Sequence, residues 1–237
     1  MPFTSTNSAF WGGMRDGAPF MAVAGPFAAL FGVLATEAGL NIVEVMGFSV
    51  VVIAGAAQFT ALQLLQDNAP TVIVLVSALA VNLRTAMYSA ALTPYLGKAK
   101  LWQRVFIAYL LVDQNYALSH ARFDAEPEMP LRFRLAYYVG TTLLTLMTWF
   151  SCSYLGAVLG TALPPGIPLD FALPIAFLSM VAPMVRTLPH LAAAVVAIGV
   201  ALVAVSLPYS LGLLVAGLAG MMAGSQVEVW LEGRRDD

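Results

Sequence analysis

Apolar residues do not alternate with polar ones along this chain. They come in long blocks at 18–36, 45–65, 71–92, 105–119, 135–163, 171–185, 191–207 and 211–223, parted by short polar breaks. A strand on a barrel wall shows a period of two, and none of the blocks does, so they predict helices. Most approach the roughly 20 apolar residues a helix needs to cross a hydrocarbon core, where only helices and closed barrels satisfy their own backbone. The pattern predicts an all-α, multi-pass membrane protein with seven to eight apolar segments, one or more discontinuous or re-entrant, in a single transmembrane domain over 1–237. The breaks at 37–41, 67–70, 94–97, 164–168 and 208–210 carry Gly, Pro, Asn and Asp, the residues of turns. The polar stretch 120–134 is the one longer loop expected.

Composition agrees. The chain is 60% hydrophobic and 10% charged, against about 25% charged in soluble domains. Its mean hydropathy is +0.83. A formal charge of -2 offers no basic face for nucleic acid and no acidic tail. The single Cys152 excludes an intramolecular disulfide or a cysteine metal cluster and reads as lipid-facing or core filler. The first ten residues hold no Lys or Arg, so no cleavable signal is expected and insertion falls to the first helix. No phosphate-binding Gly-rich loop, His-Glu-x-x-His string or Gly-x-Ser-x-Gly elbow occurs, so no enzyme, nucleotide, cofactor or metal is expected. His120 and His190 lie at segment edges, and Trp11, Trp102 and Trp230 flank segments while Trp149 lies deeper; none of these marks a site.

Charge also raises a conflict over orientation. Basic residues cluster at Arg15, at Lys98, Lys100 and Arg104, at Arg122, Arg132 and Arg134, and at Arg234 and Arg235. Cytoplasmic loops collect Lys and Arg, yet three full spans before Lys98 would put it opposite Arg15. The conflict eases if 71–92 breaks near Asn82 and re-enters, or if Arg15 is a weak determinant. The interrupted block 191–223 gives that first half a counterpart, as in a degenerate repeat of three segments on each side of 105–119.

Strongly polar side chains at membrane depth are the candidate chemistry. Arg84 lies inside the run 71–92, where a fixed charge costs roughly 3 kcal/mol. Its guanidinium fork matches a carboxylate, which makes it a substrate ligand; the other reading is a structural ion pair with Asp113, with Asn82 capping a half-helix. Asn82 and Arg84 point about 200° apart on a regular helix, so they share a ligand only across a break. In the Ala54-Gly55-Ala56-Ala57-Gln58 string, Gly55 exposes backbone carbonyls and the Gln58 amide both donates and accepts, as a zwitterion requires. The other reading is a close helix crossing with Gln58 bonded to a neighbouring helix. Asp113, followed by Gln114, is the one acid within the apolar runs and a candidate for ion coupling or gating, or else an interfacial cap.

The ordered set Phe10-Trp-Gly-Gly-Met-Arg15-Asp16-Gly-Ala-Pro19, Phe31-Gly32, Glu37-Ala-Gly39-Leu40, Ala54-Gly-Ala-Ala-Gln58-Phe59, Asn82-Leu-Arg84, Leu110-Leu-Val-Asp113, Leu207-Pro208 and Leu211-Gly212-Leu-Leu-Val-Ala216 with Gly220 resembles the AzlC, or LIV-E, family of branched-chain amino acid exporters. The resemblance spans essentially the whole chain. It implies a permease subunit of the bacterial inner membrane, paired with a small AzlD-type membrane subunit, exporting leucine, isoleucine and valine on the proton motive force. Two departures stand out: Thr85 where the family often has His, and Gln114 where it often has Glu. The resulting expectation is a substrate held at mid-depth by Gly55, Gln58, Asn82 and Arg84, with Met87 and Phe59 around its side chain. Asp113 and Gln114 would serve coupling or gating. A gated pore and a non-transporting scaffold are the alternatives.

Overall fold

The computed structural model describes residues 3–162, 178, 185–207 and 211–233. Regular structure among them is all helical: α1 (Thr6–Gly17), α2 (Met21–Glu37), α3 (Ile42–Val51), α4 (Gly55–Gln66), α5 (Thr71–Leu96), α6 (Leu101–Tyr109), α7 (Asp113–Ala125), α8 (Leu131–Ala162), α9 (Leu188–Val203) and α10 (Leu211–Gly233). Three stretches among the described residues are long and apolar enough to cross a bilayer: Thr6–Glu37, in which α1 continues through a 3-10 turn into α2, then Thr71–Leu96 and Leu131–Ala162. Apart from Leu178 and Val185, the block 171–185 lies outside the described residues, as does the break at 208–210.

The chain groups into two compact units, Met1–Leu62 with Val81–Ile167, and Gln63–Ala80 with Pro168–Asp237. In the second, α9 and α10 cross antiparallel through small residues. Gly212 faces Ala204, Gly220 faces Ala193 and Gly224 faces Pro189.

The first unit is framed by two parallel helices. Contacts between Thr6–Glu37 and α8 climb both chains together, with Gly13 at Tyr137, Gly17 at Thr141, Gly25 at Cys152, Gly32 at Ser153 and Val33 at Gly160. Glycine is what lets the backbones touch: a methyl on Gly32 would lie 2.1 Å from the Ser153 carbonyl oxygen, and one on Gly156 2.0 Å from that of Ala29. Cys152 fills this seam.

Two apolar blocks are split. Residues 52–54 part α3 from α4, after Val50-Val51-Val52-Ile53, four successive β-branched residues that crowd a helical turn. Residues 110–112 part α6 from α7, and here a side chain makes the break: Asn115 Oδ1 accepts from the Val112 amide (3.0 Å) while its Nδ2 donates to the Leu110 carbonyl (2.7 Å). Each split pair is a hairpin. α3 runs back along α2, Phe48 meeting Phe31; α4 then reverses, Gly55 and Phe59 lying by Phe27 and Phe59 by Phe31, with Gln58 reaching Ser49. α7 keeps pace with α5, Asp113 at Arg84, Tyr116 on Tyr88 and Phe123 at Tyr95. It runs antiparallel to α8, with Asn115 at Thr142 and Phe123 at Tyr137.

Two sequence expectations are corrected. The break near Asn82 is absent. α5 is unbroken from Thr71 to Leu96 because the run has no glycine and its Pro94 falls only in the last turn, while the Asn82 carbonyl takes an added bond from Thr85 Oγ1 (2.7 Å) within the helix. The helical breaks fall instead inside the blocks 45–65 and 105–119. The loop expected at 120–134 shrinks to 126–130, since α7 extends to Ala125, helped by the i,i+4 pair of Arg122 and Glu126 (2.9 Å). The charge conflict disappears with these changes: the end of α5, both ends of the α6–α7 hairpin and the start of α8 share one side, where Arg122 also lies over Phe3 at 4.4 Å. Arg15, Lys98, Lys100, Arg122, Arg132 and Arg134 thus fall toward the same side.

Candidate functional site

Arg84 is the fourteenth of the 26 residues of α5, close to the middle of a span, and the break before α7 places an acid beside it. Arg84 Nη2 lies 3.1 Å from Asp113 Oδ2, with the two side chains 32% and 36% exposed. The pair answers the cost of the lone charge but leaves part of each group unused: among the described residues, Arg84 Nε and Asp113 Oδ1 are buried without a hydrogen-bond partner, as is Asn82 Oδ1. Each such atom costs about 1–3 kcal/mol when left unpaired. One turn along α5, Tyr88 stacks on Tyr116 (ring centroids 4.1 Å apart, 9° between planes), and its hydroxyl interacts with Asp113. A donor and an acceptor left over at a neutral pair can receive the carboxylate and ammonium of one zwitterion.

Asn82 does not join this arrangement. On the continuous α5 it points about 200° away from Arg84 and caps nothing, so the expectation that the two share a ligand fails with the missing break. Met87 is 71% exposed, whereas Phe59 is fully buried.

Gly55 is the first residue of α4, immediately after the α3–α4 break. The space above it is taken by an indole, since a methyl there would come within 2.7 Å of Trp149 Cη2. Gln58, one turn on, is fully buried; its Nε2 donates to Ser49 Oγ (3.3 Å) and its Oε1 has no partner among the described residues. Trp149 Nε1 and Ser153 Oγ are likewise buried and unpartnered among them. Phe27, Phe31 and Phe59 enclose this region with Trp149.

Gln114 is half-buried, and it is the adjacent Asn115 that organises the α6–α7 break. Fully buried, Asn115 Nδ2 also contacts Thr142 Oγ1 (2.9 Å) and Tyr138 Oη (3.3 Å), while Tyr138 Oη donates to the Ile107 carbonyl (2.8 Å). Sequence reasoning took Asp113 and Gln114 and stopped short of Asn115. The usable signal was the polar triplet Asp113-Gln114-Asn115 interrupting an apolar run, in which the uncharged Asn is the better bridge between two backbone ends. Tyr109 was also missed; its hydroxyl donates to the Val50 carbonyl and ties one hairpin tip to the other. Asn115→Leu should strand the Val112 amide and the Leu110 carbonyl and lower unfolding free energy by about 3 kcal/mol. Gln114→Leu should stay within about 0.5 kcal/mol, both read by thermal melting in detergent.

Residues 19–163, which contain every candidate site residue, match the model of the family described as AzlC protein. Over 245 aligned residues the chain is 25% identical to inner membrane protein YgaZ of Escherichia coli (strain K12), covering 98% of this chain and 95% of that one. It is 27% identical over 133 residues to an "uncharacterized membrane protein" of Helicobacter pylori (strain ATCC 700392 / 26695), covering 55% of each. No solved structure matches the chain.

Proposed function

The chain belongs to the AzlC family of membrane proteins, and from that premise we propose that it is the large subunit of a secondary transporter exporting branched-chain or other small apolar amino acids. The observation that carries the reading is Arg84 held at mid-span by Asp113 at the tip of a re-entrant hairpin, with an unpaired donor and an unpaired acceptor. Broken helices at mid-depth are the usual setting of transporter substrate sites, because freed backbone and side-chain groups there line a path instead of facing lipid. The substrate carboxylate takes the unused edge of Arg84. Protonation of Asp113 releases the guanidinium to hold it, which couples a proton to each turnover without the His and Glu that relatives place at positions 85 and 114. A small AzlD-type subunit completes the transporter. The side bearing Lys98, Lys100, Arg122, Arg132 and Arg134 faces the cytoplasm under the positive-inside rule.

Counterflow tests this in proteoliposomes holding the chain with the small subunit. Unlabelled valine inside should drive transient accumulation of labelled valine, which a carrier supports and a pore does not. Label that merely equilibrates points to a gated pore, and no uptake above empty vesicles removes the transport reading.

A further inference from the structure

The element lengths repeat. Helices of 10, 12 and 26 residues (α3, α4, α5) are followed by helices of 9, 13 and 32 (α6, α7, α8), and each hairpin is broken by three residues. Each hairpin also opens with the same cap, the third residue reaching back to the capping amide: Glu44 Oε2 to Asn41 N (2.8 Å) and Gln103 Oε1 to Lys100 N (3.0 Å). The first hairpin opens toward the end of α2 and the second toward the end of α5, which runs the opposite way. Packing is crossed as a two-fold would require. The second hairpin lies on α5 through Asp113 and Arg84, and the first on α8 through Gly55 and Trp149. Asp113 and Gly55 are the first residues of α7 and α4. Where the tips touch, the partners are Tyr109 and Val50, each the ninth residue of its helix, as expected for two equivalent positions meeting on an axis.

We infer that the hairpins 42–62 and 101–125 are an inverted-topology pair, and that Trp149 with Gln58 forms a second zwitterion subsite, the counterpart of Arg84 with Asp113. The chemistry repeats even though the residues do not. Arg84 Nε and Asp113 Oδ1 offer one buried donor and one buried acceptor without partners among the described residues, and so do Trp149 Nε1 and Gln58 Oε1, the latter on a side chain with 0% exposure. A ligand group that donates and accepts at once fits both. The aromatic walls of the second subsite, Phe27, Phe31 and Phe59, suit an amino acid with an aliphatic side chain. Arg84 is fourteenth of the 26 residues of α5 and Trp149 nineteenth of the 32 of α8, so both subsites lie close to the middle of their helices. This subsite rests on the amino-acid reading above; the repeat does not.

Two measurements test it on the full chain with its small subunit. In a Cys152→Ala background, Asn41→Cys should react with a membrane-impermeant maleimide from one side, and Lys98→Cys and Glu128→Cys from the other. Asn41→Cys reacting from the same side as Lys98→Cys would overturn the inverted pair. Trp149→Phe keeps the ring and removes its N–H; it should raise the KM for valine about tenfold, the worth of one hydrogen bond to a charged group, with Vmax within about twofold. An unchanged KM in an active, normally melting variant removes the subsite and leaves the transport reading standing, whereas an inactive wild-type chain removes both.

Discussion

Arg84→Ala should reduce valine counterflow by about a hundredfold or more, because two charge-assisted hydrogen bonds to a carboxylate contribute about 3 kcal/mol together and each 1.4 kcal/mol is tenfold. Arg84→Lys should recover only part of this, since an ammonium keeps the charge but not the fork. The measurement that separates a ligand from a structural ion pair is the double replacement Arg84→Gln with Asp113→Asn. The pair lies at 3.1 Å, and removing either partner alone leaves the other uncompensated at mid-span. If pairing were its whole purpose, the double variant would restore both melting temperature and transport. A carboxylate ligand predicts that it restores melting temperature and leaves transport lost.

The second large effect is on folding. Gly156→Leu should lower stability by about 3 kcal/mol or more and deplete the protein from membranes, measured by expression and by melting in detergent. A methyl at that position would lie 2.0 Å from the Ala29 carbonyl oxygen, and the obstacle is backbone, which cannot rotate away as a side chain would. Gly47→Ala is the matched control. None of the described residues lies within 4 Å of its added methyl, and an alanine inside α3 should gain about 0.5–1 kcal/mol from helix propensity. Equal behaviour of the two variants would mean that the helices do not approach as described.

What the sequence made legible follows from how local each signal is. Helical class and membrane residence are sums over whole blocks, so they were readable without contacts. The identity of the broken helices was not. Asn82 beside Arg84 looked like an interruption, yet a polar residue in an otherwise helix-forming run is tolerated, whereas the actual breaks lie in Val52-Ile53-Ala54 and Leu110-Leu111-Val112, which are fully apolar and invisible to hydropathy. β-branching before the first and the capping capacity of Asn115 after the second were the available cues. The Arg84–Asp113 contact was anticipated from charge alone, because only one acid was at hand to answer one base. Trp149 was set aside as featureless since its importance depends on Gly55, ninety-odd positions away in sequence and in contact only after folding.

The glycine seam between the first span and α8 bears on how such a protein would move. Helices that meet backbone to backbone have no layer of side chains to reorganise, so they cannot slip past each other by exchanging rotamers; they act as a stator. Motion is left to the two short tips, whose excursions scarcely alter the area the protein occupies in either leaflet. On the transport reading proposed above, work done against the lateral pressure of the bilayer is then small, and turnover is set by the tip contacts more than by the lipids around them.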